Sequence, residues 1–243
     1  MHRSMATFTL EPPNIILSLL LVLLCSSVWL ACLPWVCRCW LYVFQGWFKF
    51  SGLNMEVGLR QHHLTPLLPF VVPYPHLQDV GPDARTWWIT AVVVLVLFLA
   101  SLLLPKKLIP LAYLLRGLLF VQASALLYFA LTPGQFPHTP DSYLESLMNS
   151  GLALISFVPV VFGLTYYIFN FGLIRKTLLT ALTMIHLSLF FPLQVLLQAI
   201  ILQKTVLFMP LLYIVFGMPL DVTIIIAFYS WGMSWPAQTE SGI

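Results

Sequence analysis

Residues 87–131 read WWITAVVVLVLFLASLLLPKKLIPLAYLLRGLLFVQASALLYFAL, two long apolar runs joined by the turn Pro105-Lys106-Lys107. An α-helix rises about 1.5 Å per residue, so about 20 apolar residues cross a hydrocarbon core of ~30 Å. Each run has roughly that length, and the charges fall where a hairpin of two spans must turn. Working outward, further apolar runs continue to Trp235, separated by an Asp141/Glu145 loop, Arg175-Lys176 and Lys204. Another lies near the N-terminus, IILSLLLVLLCSSVWLACLP. Charged residues are 8% of the chain and hydrophobic residues 60%, against roughly 25% charged in soluble domains, so no water-facing surface can be built. The expected fold class is therefore an all-α, polytopic integral membrane bundle of about six helices, with a short interfacial helix and a Pro-rich outer loop.

The spans are expected near residues 14–34, 87–104, 108–131, 151–171, 177–203 and 205–235, leaving 1–13 and 236–243 as tails and 35–86 as an outer segment. The last would be about 45 Å long as one helix. Gly217-Met218-Pro219 lies at its middle, and proline lacks a backbone donor and clashes with the preceding turn, so a kink or break is expected there. Pro159, Pro192 and Pro210 are further candidates for bends. A charged start before an apolar run also describes a signal peptide, but this run is too long. Leu30-Ala31-Cys32 resembles a lipoprotein cleavage site only weakly, because Trp29 occupies a position that wants a small aliphatic residue.

Lysine and arginine in short loops set orientation. The Lys106-Lys107 and Arg175-Lys176 turns are expected on the cytoplasmic side and the Gly134–Asn149 loop opposite, which puts both termini in the cytoplasm. His2-Arg3 agrees with this and Lys204 dissents. A bacterial plasma membrane is the expected setting. In the outer segment, Trp40, Val43, Phe44, Trp47, Phe48 and Phe50, interleaved with Arg38 and Lys49, fit an interfacial anchor helix. Pro66, Pro69, Pro73, Pro75 and Pro82 then favour an extended loop, with Leu67, Leu68, Phe70, Val71 and Val72 covering the bundle.

Ionisable groups inside spans are costly and mark function or a structural link. Arg116, His186 and Asp221 all come out near mid-membrane by helix rise, so an Arg116–Asp221 pair with His186 as a third member is expected. As a structural device the pair would fix helix register. As a transport device, the Gly217 break would expose backbone beside Asp221, as in transporter helices that hold an ion. Gln194 and Gln198, four apart on one helix face, are expected to hydrogen-bond neighbouring helices.

In the outer loop, Thr139 or Asp141 can cap a short helix bearing Leu144, Leu147 and Met148. His138, Asp141 and Glu145 are the weaker alternative, an acid/base or metal cluster. His62-His63, His76 and His138 match no standard metal spacing, so no metal is assigned. Cys37 and Cys39 could pair with each other or with Cys32, or carry lipid, and Cys25 reads as a buried hydrophobe. No phosphate loop, nucleophile elbow or zinc-protease helix is present, which leaves no cofactor to assign and makes an enzyme the less favoured class. The net charge of +3 reflects helix-end residues, so no nucleic-acid partner is expected. Three classes remain: a non-catalytic accessory or scaffold subunit partnered by the bilayer and another membrane protein, a small transporter or proton-coupled channel, and an enzyme of lipid-linked substrates. A dry, packed interior marks the first.

Overall fold

The computed structural model describes residues 12–52, 55–63, 69–77, 81, 83–132, 136, 138–166 and 172–234. The N-terminal tail to residue 11, Leu67, Leu68, Pro66, Pro82 and the C-terminal tail from residue 235 lie outside the described residues, as do the side chains of His62 and His63. Among the described residues six helical segments, the last of them broken, are long and apolar enough to cross a membrane. The chain is an all-α helical bundle and a multi-pass integral membrane protein.

The first helix, α1 (Pro12–Ser51), has 40 residues and is about 60 Å long. It merges the expected first span with the expected interfacial helix, which is a correction. Its buried residues Leu21, Trp29, Leu33, Cys37, Trp40, Phe44 and Phe48 recur every three, four or eight positions and form one continuous stripe. Trp40, Phe44 and Phe48 thus belong to the core, whereas Phe50 is 85% exposed and Trp47 is exposed beside it. Pro34 lies inside the helix without ending it, as membrane-spanning helices tolerate. Two residues apart on one α-helix, Cys37 and Cys39 point to different faces, and all four cysteines are free.

The Pro-rich segment contains an antiparallel hairpin, β1 (Glu56–His63) with β2 (Pro69–His76). Pro69, Pro73 and Pro75 occupy alternate register positions, opposite His63, Leu59 and Val57. Their missing N–H groups therefore all turn away from β1, and the ladder runs through the even-numbered residues. β2 lies against α1 and α4 (Pro140–Tyr166), burying Phe70 and Val72, while β1 forms the exposed edge.

Helix α2 (Ala84–Leu102) and helix α3 (Ile109–Leu131) are joined by a 3-10 turn at Lys106–Leu108. Helix α4 starts eleven residues earlier than the expected span at 151. Thr139 caps it by accepting from Ser142 N at 3.2 Å, so the short outer helix and the span are one element. Helix α5 is Leu173–Leu202. The last span is broken, as its Gly-Met-Pro sequence predicts: a 3-10 turn at Val206–Phe208, then α6 (Met209–Phe216) and α7 (Met218–Met233), hinged at Gly217. A Cβ at Gly217 would strike the Tyr213 carbonyl, which accepts from Gly217 N at 3.1 Å.

Half of the apolar window of α4 and of α5 is buried, against 11% for α2, so α4 and α5 form the centre. Close approach at this centre depends on small residues: the Phe191 ring of α5 covers Gly151 of α4, and Val22 of α1 covers Gly163. Trp29 Nε1 donates to Ser156 Oγ at 2.8 Å and Trp40 Nε1 to the Ser188 carbonyl at 2.8 Å, so α1 is tied to both central helices.

Candidate functional site

Two polar constellations stand out, one at the helix break and one at the hairpin. At the break, an uninterrupted helix would use the Phe216 carbonyl to accept from residue 220. Instead Leu220 N donates to Gly217 O at 3.0 Å, and Phe216 O is released. Gln198, fully buried on α5, donates to it through Nε2 at 2.7 Å and accepts from Tyr143 Oη of α4 at 2.5 Å through Oε1. One helical turn away, Gln194 Nε2 donates to Asp221 Oδ1 at 3.0 Å. Asp221 lies in the first turn of α7 and is 2% exposed. The carboxylate is helped there by the positive end of the helix dipole. Gln194 Oε1 is buried with no donor among the described residues. The glutamine pair on one α5 face thus joins α4, α5, α6 and α7 around the discontinuity, as expected for glutamines that bond neighbouring helices.

The expected Arg116–Asp221–His186 cluster does not assemble. Arg116 donates to Ser101, from Nε to Oγ at 3.2 Å and from Nη2 to the carbonyl at 2.9 Å. It thereby caps the last turn of α2, where a cation also favours the helix dipole. His186 stacks on Phe190 with ring centroids 5.5 Å apart and meets Phe228 at 5.0 Å. Helix rise fixes depth but not rotation about the helix axis, and the three residues face different neighbours.

Outside the span interior, the hairpin is fastened to the start of α4. Arg60 of β1 forms an ion pair with Glu145, and His76 Nδ1 lies 2.7 Å from Asp141 Oδ1. Asp141 also accepts from Leu77 N at 3.4 Å. Tyr74 is close to these groups. Burial, then Asp141 and Glu145, push its phenol above the ordinary range, and Arg60 opposes them. Of the expected outer cluster, Asp141 and Glu145 are therefore brought together, with Arg60 and His76 as their partners. His138 is not among them; its ring lies against Phe136 with centroids 6.0 Å apart. Among the described residues no group of three or more His, Cys, Asp or Glu is placed to hold a metal.

Other links were not anticipated from the sequence. Gln122 Nε2 of α3 donates to the Leu207 carbonyl at 3.2 Å, and Trp87 Nε1 of α2 to the Leu126 carbonyl at 2.9 Å. Lys176, read above as an orientation charge, is 1% exposed and donates through Nζ to the Tyr166 carbonyl at 2.9 Å, closing the end of α4. A cation at a helix C-terminus is favourable, and this geometry was foreshadowed only by its position just after the α4–α5 connection. Besides a polar cavity of about 500 Å³ between the end of α1 and β1, two apolar cavities lie along helix pairs. One, of about 520 Å³, lies between α2 and α3, and the other, of about 450 Å³, between α1 and α5; apolar side chains dominate both.

Comparison with protein-family models, with curated proteins and with solved structures finds no match to this chain.

Proposed function

We propose that this protein is a non-catalytic accessory or scaffold subunit of a membrane assembly, in a bacterial plasma membrane with both termini cytoplasmic. One observation carries this reading: the long polar side chains within the bundle each make a link to another element, although Ser18 Oγ, Gln122 Oε1 and Gln194 Oε1 are buried without a partner among the described residues. Gln122, Gln194, Gln198, Arg116 and Lys176 each bond a group on another element. The cavities between α2 and α3 and between α1 and α5 are apolar, which suits contact with lipid or another transmembrane chain. The dibasic Lys106-Lys107 turn supports the orientation. Lys176 counts for less in that argument, being used within the fold.

The test has two arms. The membrane-extracted protein should migrate on a native gel at an apparent mass above that of the monomer, and Arg60→Glu, on the exposed hairpin edge, should reduce the assembly without loss of folded protein. Proteoliposomes should show no proton or cation flux that Asp221→Asn abolishes. A monomeric protein in the first arm, or an Asp221-dependent flux in the second, overturns the reading.

A second reading has its own support. Asp221 at a broken helix, beside a glutamine oxygen with no donor among the described residues, is the arrangement of a small transporter that holds a proton or cation at the discontinuity. The flux measurement decides between the two.

A further inference from the structure

The α2–α3 pair carries a feature that scaffold geometry does not require. The cavity between these helices is lined by Trp87, Ala91 and Phe98 of α2 and by Leu119, Ala123 and Arg116 of α3, among other residues. From Trp87 to Phe98 the α2 wall rises about 16 Å, close to the ~15 Å depth of one leaflet's hydrocarbon. Its volume of about 520 Å³ is open to the side, so a chain can enter from the bilayer without separating the helices.

Charge is distributed on one end only. The Arg116 guanidinium lies at the last turn of α2, holding Ser101 with Nε and Nη2. Guanidinium has five N–H donors, and among the described residues those on Nη1 have no hydrogen-bond acceptor, while the central carbon of the group lies over the Tyr113 ring, 5.8 Å from its centroid. Lys106 and Lys107, both exposed, occupy the turn at the same end of the helix pair. No Asp or Glu occurs between Asp83 and Asp141, so neither helix offers these cations an acidic partner.

We infer that the α2–α3 groove is a binding site for an anionic phospholipid, with one acyl chain in the groove and its phosphate on Arg116, supported by the Lys106-Lys107 turn. An apolar channel of leaflet depth that ends in a bidentate donor matches an acyl chain attached to a phosphate. A second transmembrane helix fits less well, because it would bury the unused guanidinium donors without an acceptor. Lysines at the mouth add attraction to anionic headgroups. The Arg116–Ser101 bonds hold the guanidinium in place before the lipid arrives, so little side-chain freedom is lost on binding.

Native mass spectrometry of the delipidated full chain, titrated separately with phosphatidylglycerol and phosphatidylcholine, tests this. Phosphatidylglycerol should be retained at lower concentration than phosphatidylcholine. Arg116→Gln should weaken phosphatidylglycerol binding about tenfold and remove most of the preference, as expected for loss of a charge-assisted contact. Ala123→Trp fills the groove from an exposed position and should reduce binding of both lipids, which keeps the test available if Arg116→Gln fails to fold. Equal retention of both lipids by the wild type, or undiminished binding by Ala123→Trp, overturns the proposal. So does a change by Ala123→Trp in oligomeric state alone, which would assign the groove to a second protein chain.

Discussion

Replacing Gln198 by leucine tests whether the polar links at the helix break hold the bundle together. The side chain is fully buried and makes two bonds, accepting from Tyr143 at 2.5 Å and donating to the Phe216 carbonyl at 2.7 Å. Leucine is of similar size, so the loss is chiefly polar. Interhelical hydrogen bonds in membranes average about 0.6 kcal/mol and reach about 1.7. A buried carbonyl left without a donor costs about 1–3 kcal/mol. Two bonds of this kind, with Phe216 O orphaned at a break where no backbone donor replaces it, give about 1–3 kcal/mol in total. For a chain of this size that is a fall in melting temperature of about 3–10 °C. The assay is thermal unfolding in detergent of Gln198→Leu, Tyr143→Phe and the double variant. Tyr143→Phe should lose less than Gln198→Leu, and the double should fall short of the sum by about 0.5–1 kcal/mol, since both share one bond. A Gln198→Leu protein as stable as the wild type, with additive double-variant effects, would refute the argument that the glutamine satisfies the break.

Three further outcomes follow from the geometry. Gly151→Leu forces a side chain into the Phe191 ring, which is 1% exposed, and should destabilise by about 1–3 kcal/mol in the same melting assay. Gly117→Ala meets nothing within 4 Å and should instead be neutral or stabilise by up to ~1 kcal/mol. Arg60→Glu, at an exposed site, should speed amide exchange over residues 56–63 by up to about fivefold, and the swap with Glu145→Arg should restore protection. Tyr74 has a folded-state pKa raised above an unfolded value near 10, so its stabilising protonated form persists below that pH and is lost as pH climbs through the folded value. Hairpin protection should therefore decline above about pH 10, and Tyr74→Phe should remove that part of the decline.

Span existence was legible in the sequence because apolar length alone decides it, and α3 and α5 begin and end within a few residues of expectation. Gly217 and Pro219 marked the break for the same reason, as a local backbone rule. What failed was the reading of charges beside apolar residues. Arg38 and Lys49 suggested an interfacial helix, although Leu33, Cys37, Trp40, Phe44 and Phe48 already carried the spacing of a buried stripe. Asp141 and Glu145 suggested an outer loop with a short helix of its own before 151, yet both lie in the first two turns of the long α4, where they meet His76 and Arg60. The hairpin left one usable sign, prolines at positions 69, 73 and 75 with two-residue parity, which suits an edge strand. The Arg116–Asp221 pairing required knowledge of rotation about each helix, which depends on packing partners far away in the chain.

The tie between α1 and the central helices also has a kinetic consequence during synthesis. Trp29 waits for Ser156, 127 residues later, and Trp40 for Ser188, 148 residues later. At about 5–20 residues per second, those intervals are roughly 6–30 s. The α2–α3 hairpin, closed by Trp87 and Leu126 only 39 residues apart, is complete well before then. For that interval the α1 indoles wait for Ser156 and Ser188, and only the β1–β2 hairpin, made soon after it, is at hand to cover part of its aromatic stripe, so the order in which helices leave the ribosome is not the order in which they pack. A nascent chain halted before α4 would hold the longest helix of the protein as a client for whatever chaperones the membrane provides.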